Sequence, residues 1–599
     1  MVVGVLERSA PNLELNAGSA SGITGRRVLF ATLVVATIAA LLALAGKALS
    51  AGGFTAMDGL LLVLFGCTLP WSVIGFWNAT IGFLVMRFSP DPIGTVLPAA
   101  RNVRGDEPIT AKTAIAIFVR NEPPDRVIRN LDAMMRELVA ADAADRFHLY
   151  VLSDTGMADI AKVEEEAFAK LADEWRDHIP IVYRRREVNT AFKAGNFWDF
   201  LQRWGDDYEF AVTLDTDSFM TANAIMKMVR LAQSDPKLGI LQGLVVGLPS
   251  TSAFARIFQF GMRLGMRSWT IGSAWWQGDC GPYWGHNAVI RIAPFKAHCH
   301  IPKLKEGGVL GGHVLSHDQI EAALMRRSGY DVRVLPEEDL GWEENPPTLL
   351  EYLRRDQRWE QGTLQYGHFL FLPRMKIVSR FQLAFAMLMF LGSPAWIGML
   401  LVGVLAVAAA PMPADFIDPA IGSALMIIIL VMWFAPKIAT VLDVLTRPPL
   451  RHAFGGTARF LASVASETIF FILLSPIMWA SHSLFLAGLP FGKVVGWIGQ
   501  VRDDHTVSWS AAWQQFWPHT LLGAFCVGLL AFTHPSAIPY ALLIAGGPLL
   551  AVPLAVLTAI PSLGLALARI GLGRLPEETS PPVGLNALSL PALNASRLV

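Results

Sequence analysis

Apolar residues in this chain crowd into two blocks, residues 28–86 and 381–568, with a long polar block between them. Runs of that length need a bilayer, whose hydrocarbon core takes about 20 apolar residues per helix. The first block supplies two spans, about 28–49 and 58–86. Arg26 and Arg27 precede the first and Arg87 follows the second, which puts both ends in the cytoplasm. Later spans read at about 381–409 and 420–444. The loop PMPADFIDP has no Lys or Arg and suits the outer face, whereas Arg447, Arg451 and Arg459 suit the inner one. Residues 460–498 read as one span, or as two with a turn near Ser475-Pro476. Placing Arg502, Arg569 and Arg574 inside favours two, hence about eight spans. The long first span lacks the pattern of a cleaved signal peptide.

The expected organisation is a flexible tail over 1–27, two spans over 28–89 and a cytoplasmic domain over 90–378. About six spans follow over 379–570, with a cytoplasmic loop near 499–518, then a flexible cytoplasmic tail over 571–599. Within the polar block, strand-like and helix-like runs alternate. Strands are expected at Ala114–Arg120, His148–Ser153, Ile181–Arg184 and Phe210–Leu214, and helices at about 124–139, 158–177, 193–203 and 222–234. Such alternation predicts an α/β domain with a mostly parallel sheet covered on both faces. Glu122, Asp154, Asp215 and Asp217 follow three of these strands, so their carboxylates are expected at one sheet edge, where such folds bind ligands.

Asp215-x-Asp217 ends a buried strand. Paired carboxylates there suit Mg²⁺ or Mn²⁺, ions that share their shell with substrate phosphates. The formal net charge is zero, so nothing points to a nucleic-acid partner. Cys67, Cys280, Cys299 and Cys526 show no disulfide spacing, and are expected as free thiols. His298-Cys299-His300 with Cys280 and His286 fits no compact zinc module. Trp275, Trp276, Tyr283 and Trp284 suit either the core or a sugar path, the latter because aromatic rings stack on sugar faces. Phe254, Ile257, Phe258 and Met262 form one helical face, toward either the core or the membrane.

Two further segments complete the set: Ser316-His317-Asp318, opening a helix, and Arg354-Arg355-Asp356-Gln357-Arg358-Trp359-x-x-Gly362. The ordered set Asn121-Glu122, Asp154, Lys193-Ala-Gly-Asn196, Asp-x-Asp, His-Asp and Arg-Trp-x-x-Gly resembles the processive, membrane-embedded glycosyltransferases of family 2, the group of cellulose and hyaluronan synthases. SHDQIEAALMRRSGYDV, YWGHNAVIR, LLEYLRRDQRW and QVRDDHTVSW look like the glucan biosynthesis glucosyltransferase H family, which makes the backbone of osmoregulated periplasmic glucans. Arg355 stands where cellulose synthases have Gln, and Ser-His-Asp where they have Thr-Glu-Asp. Both departures favour the glucan H family over a β-1,4 (cellulose-like) synthase, the nearest alternative.

The resemblance implies a GT-A (Rossmann-like) domain in a multi-pass protein of the bacterial inner membrane. It further implies a metal-dependent, UDP-glucose-using hexosyltransferase that polymerises a β-1,2-glucan and exports it. Asn121, Glu122, Asp154, Lys193, Asp215 and Gln357 would bind the nucleotide sugar, and Asp215 and Asp217 the ion. Asp318 would be the general base. Arg358 would meet the leaving diphosphate, and Trp359, Trp284 and His286 the acceptor. Implied partners are the growing glucan, membrane lipid, acyl carrier protein and periplasmic glucan-processing proteins. A transporter or receptor is the reading from another class. The absence of an internal repeat argues against it.

Overall fold

The computed structural model describes residues 20–412, 416–495 and 501–596. The polar block folds around a seven-stranded sheet of order β3-β2-β1-β4-β8-β6-β9. Its strands are β1 (Thr113–Val119), β2 (Phe147–Ser153), β3 (Ile181–Arg185), β4 (Phe210–Asp215), β6 (Leu238–Gly243), β8 (Ala288–Arg291) and β9 (Asp331–Leu335). β3, β2, β1 and β4 run parallel, and β8 runs antiparallel between β4 and β6. A smaller sheet joins β5 (Ser218–Met220), β10 (Gly341–Glu343) and β7 (Val245–Gly247).

Alternating side chains of β1 explain the layering, since successive residues point to opposite faces. Ile115, Ile117 and Val119 join Val127, Leu131 and Met134 of the helix Pro124–Ala140 on one face. Ala114 and Ala116 leave room on the other face for Phe197 and Phe200 of the helix Phe192–Trp204. Register aligns the strand ends: Val119 pairs with Ser153, and Phe118 with Asp215. All four expected strands and their helices form, within three residues of the expected ends.

Six helices are long and apolar enough to cross a membrane: Gly22–Leu49, Ala56–Phe88, Ile377–Ala409, Pro419–Thr446, Thr457–Phe491 and Trp509–Thr533. Pro535–Leu549 and Ala551–Thr558 form a pair bent by 56° that would make a seventh. The expected eight is corrected at Ser475-Pro476, where no turn exists. Thr457–Gly488 is one unbroken helix with Pro476 inside it. Proline removes one backbone donor, and apolar helices tolerate that when neighbours satisfy the freed group.

Both ends of that helix meet the polar-domain side of the protein. Near its start, Ser463 Oγ accepts from Gly573 N at 2.8 Å, and Phe460 packs on Phe260. Near its end, His482 Nε2 lies 2.5 Å from Asp356 Oδ2 of the helix Leu349–Leu364, and Phe485 clusters with Leu364. Between these points it lies on the helix Ala253–Gln277, with Phe258 stacked on Phe471 at 5.7 Å. The face of Phe254, Ile257, Phe258 and Met262 thus packs against an apolar helix.

The C-terminal segment also departs from expectation. Residues 571–593 pack on the polar domain, and 597–599 of the expected tail lie outside the described residues. Leu585, Leu588, Leu590 and Leu593 enter its core. Glu577 Oε1 accepts from Arg263 Nη2 at 2.9 Å and Trp342 Nε1 at 3.2 Å, and Glu578 pairs with Arg256. Proline and serine near 580 suggested a linker, but the spaced leucines beyond them carry the packing. Of the expected N-terminal tail, residues 1–19 lie outside the described residues, and 20–27 open the first long helix.

Candidate active site

A cavity of about 240 Å³ opens at the carboxyl edge of β1, β2 and β4. Glu122, Asp154, Asp215 and Asp217 all line it, so the aligned strand ends do bring these carboxylates together. Each faces a cation. Arg186 grips Asp154 with two bonds of 2.7 Å. Lys193 Nζ donates to Asp215 Oδ1. Gly195 permits this, because a Cβ there would lie 2.0 Å from the Thr190 carbonyl, and so the helix carrying Lys193 starts close to the preceding turn.

Arg502 holds Asp217. Its Nη1 donates to Asp217 Oδ2 at 2.7 Å and its Nη2 to Glu122 Oε1 at 3.1 Å. Burial works against the Asp217 charge, but Arg502 and His286 overcome it and keep the carboxyl below its usual range. The next two residues are tied down as well. Asp503 accepts from Arg126 at 2.7 Å, and Asp504 from Thr251 at 2.6 Å. Residues 502–504 are thus fastened beside the cavity.

Asp318, which also lines the cavity, is the first residue of the helix Asp318–Arg327, and His317 is the cap. The Asp318 carboxylate accepts from Ser316 Oγ at 3.1 Å. His317 Nδ1 lies 2.7 Å from Glu321 Oε2. Burial alone would lower the His317 pKa, but the Glu321 charge raises it. Gly285, at φ +86°, passes between Asp318 and Lys193; a Cβ there would lie 3.6 Å from Asp318 Cβ and 3.7 Å from Lys193 Nζ.

The helix Leu349–Leu364 closes the cavity. A Cβ on Gly362 would lie 2.8 Å from Ser316 N. Glycine therefore lets this helix rest against the loop that carries Asp318, and it aligns Arg358 and Trp359 with that carboxylate. The Arg355 guanidinium lies over the Trp359 ring at 4.7 Å, a cation–π contact that orients the indole. Burial, then repulsion from Arg355 and Arg502, pulls the Arg358 pKa down to about 10. Crowded cations of this kind suit a diphosphate, whose charge would relieve them.

The sequence of residues 210–436 matches the family model described as glycosyl transferase family group 2. A glucans biosynthesis glucosyltransferase H of Xanthomonas campestris pv. campestris is 33% identical over 554 residues, 89% of this chain and 84% of that one. One from Pseudomonas putida is also 33% identical over 89% of this chain, but the match spans 63% of the longer relative. This chain belongs to the glucans biosynthesis glucosyltransferase H family. Its polar block is a GT-A glycosyltransferase domain with a mixed sheet. Among solved structures, a mannosyltransferase from Pyrobaculum calidifontis in complex with GDP-Man and Mn²⁺ matches at 16% identity and TM-score 0.37, covering 61% of this chain and 98% of that one.

In this family member the cavity gathers Glu122, Asp154, Lys193, Asp215, Asp217, Trp284, His286, Asp318, Arg358 and Trp359. Asn121 and Gln357 fall outside it. Asn121 has a left-handed backbone, and its Oδ1 accepts from Gly156 N and Met157 N, so it clamps two loops. Trp276 is buried on Phe30 and Tyr283 is buried in the core, so of the four aromatic residues near 280 only Trp284 reaches the cavity. Among the described residues, no group of three or more His, Cys, Asp or Glu is placed to hold a metal ion.

Sequence reasoning missed Arg502, Arg355 and Arg120 as cavity residues. Arg502 lies far along the chain, beyond a long apolar helix. Its only signal was the family wording QVRDDHTVSW. The carboxylates of Asp215 and Asp217 fit a hard divalent ion that also binds substrate oxygens. The ammonium and guanidinium on them mark the same demand for positive charge.

Proposed function

We propose that the chain polymerises glucose from UDP-glucose into a β-glucan backbone, β-1,2-linked by family resemblance, with inversion at the anomeric carbon. The observation that carries this reading is one cavity lined together by Asp318, Asp215, Asp217 and four arginines. Asp318 takes the proton of an acceptor hydroxyl, whose oxygen attacks C1 of the donor. The bond from C1 to the diphosphate oxygen breaks, and UDP departs with the electron pair. A single displacement turns an α-linked donor into a β-linked product. Asp318 accepts from Ser316 Oγ, which steers the carboxylate without neutralising it.

Arg358 and Lys193 meet the negative charge that grows on the departing diphosphate. Asp215 and Asp217 would hold Mg²⁺ or Mn²⁺, which would supply Lewis-acid stabilisation of that charge when bound. Glu122 and Asp154 would bind the uridine and ribose, the latter with Arg186. Trp359 and Trp284 offer faces for acceptor sugars and His286 a polar edge.

The domain would sit on the cytoplasmic face of the inner membrane, and the product would leave through the same chain. Membrane lipid, acyl carrier protein and periplasmic glucan-processing proteins are the partners the family suggests. UDP release by the purified full chain, measured with UDP-glucose, UDP-galactose and GDP-mannose in turn, tests the donor. The expected result is turnover of UDP-glucose, abolished by EDTA and restored by Mg²⁺ or Mn²⁺. Preference for another donor, or activity indifferent to EDTA, would contradict the reading.

A further inference from the structure

A second cavity, of about 180 Å³, lies away from the catalytic one, where the first long helix leaves the polar domain. Three arginines from separate parts of the chain wall it: Arg26 of the helix Ala20–Leu49, Arg101 after the second long helix, and Arg333 of β9. The charges of Arg101 and Arg333 both act on Arg26. Arg101 shares its charge with Asp91 at 3.0 Å, and Arg333 with Asp331 at 2.9 Å. Arg26 is different. Its Nη1 donates to the carbonyls of Thr95 at 3.1 Å and Trp275 at 3.4 Å, and among the described residues no carboxylate pairs with it. Three like charges around one hollow repel one another unless an anion fills it. Glycines keep the hollow open. A Cβ on Gly94 would lie 2.7 Å from Arg101 Cγ, and one on Gly278 would lie 3.1 Å from Ile23 Cγ2.

We propose that this cavity binds a phosphate group, held between Arg26, Arg101 and Arg333. Guanidinium forks match phosphate oxygens in charge and geometry. Its place at the foot of an apolar helix presents it to the headgroup of an anionic phospholipid, and a soluble phosphate ester has the same chemistry. The lipid source rests on the membrane placement of Gly22–Leu49. Carbonate extraction of membranes checks that placement separately. The cavity lies one apolar layer from the active site: Val96, on its wall, clusters with Val334 and Trp284, and Trp284 lines the catalytic cavity.

Native mass spectrometry of the full chain, released from nanodiscs of phosphatidylcholine with or without phosphatidylglycerol, tests the site. Arg26→Gln and Arg101→Gln would be compared with Arg146→Gln, a surface change elsewhere; Arg101 is exposed, so its replacement should not disturb folding. The wild type and Arg146→Gln are expected to retain phosphatidylglycerol over phosphatidylcholine. The two cavity variants should each lose about tenfold in that preference, as expected for losing a hydrogen bond to a charged group. Glycerol 3-phosphate is the soluble arm. If the wild type binds it and neither cavity variant does, with no preference between lipids, the ligand is a soluble phosphate and the site stands. Equal retention of both lipids with no glycerol 3-phosphate binding would overturn the proposal. Cavity variants that behave as Arg146→Gln would overturn it too.

Discussion

Asp318 sits at the first position of its helix with His317 as the cap, and His317 makes no side-chain capping bond. Its carboxylate is therefore not spent on the helix end. Asp318→Asn is expected to fold and bind UDP normally while losing about 10²–10⁴-fold in turnover, the scale of a lost general base. Near wild-type turnover would move the role elsewhere, with His317 the first candidate. Arg502 makes a second prediction. It competes with any ion for Asp217. Arg502→Met should therefore bind Mn²⁺ more tightly in the absence of nucleotide, read by electron paramagnetic resonance, while glucan synthesis falls. Unchanged Mn²⁺ affinity would remove Arg502 from the ion's site. Glu360 makes a third. It is fully buried, both carboxylate oxygens lack hydrogen-bond partners, and burial followed by the Asp356 charge pushes it up to about 9. An unfolded glutamate titrates near 4.3. The native state thus binds the extra proton between these values, and stability falls as pH rises through that window. Glu360→Gln should flatten the fall, seen as a gap in Tm that widens from about pH 5 to pH 9. Parallel Tm curves for the two proteins would contradict it.

At the scale of elements, the helix Leu349–Leu364 and the loop before Asp318 touch through Gly362. Gly362→Ala must push them apart, since its Cβ would meet backbone at 2.8 Å. The expected cost is about 1–3 kcal/mol of stability. A displaced base and Trp359 should also reduce kcat by about 10²-fold, as small misplacements do, with UDP affinity kept. Full kcat would show that the two elements need not be in register. Elements of this kind were partly legible in the sequence. β1, β2 and β4 announced themselves because parallel strands buried on both faces read as apolar runs. β6, β8 and β9 did not: Leu238–Gly243 is interrupted by Gly239 and Gln242, and Ala288–Arg291 is four residues long with no alternation to mark it. Carboxylates at strand ends were legible because chain direction alone sets their edge. Arg502 was not, because its approach depends on a long apolar helix folding back. The Asn121 backbone clamp was invisible for a related reason: a positive φ leaves no trace in a single sequence.

For the whole molecule, the path of Thr457–Gly488 decides how often the chain crosses the bilayer. Its two ends are held at Gly573 and Asp356, both on the catalytic-domain side. Six crossings are then expected, with the bent pair as the last, which would keep Arg447, Arg451, Arg459, Arg502 and Arg569 on one side. A cysteine replacing Met412 should label from outside intact cells, and one replacing Phe491, 90% exposed, should not. Outside labelling at 491 would make the helix a true span. The most direct test of the central claim is linkage analysis of the polymer formed when the purified full chain in nanodiscs is given only UDP-glucose and a divalent ion. The account predicts UDP release matched by growth of a chain of 2-linked β-glucose. Release of free glucose without polymer, or a chain of 4-linked or α-linked glucose, would contradict it.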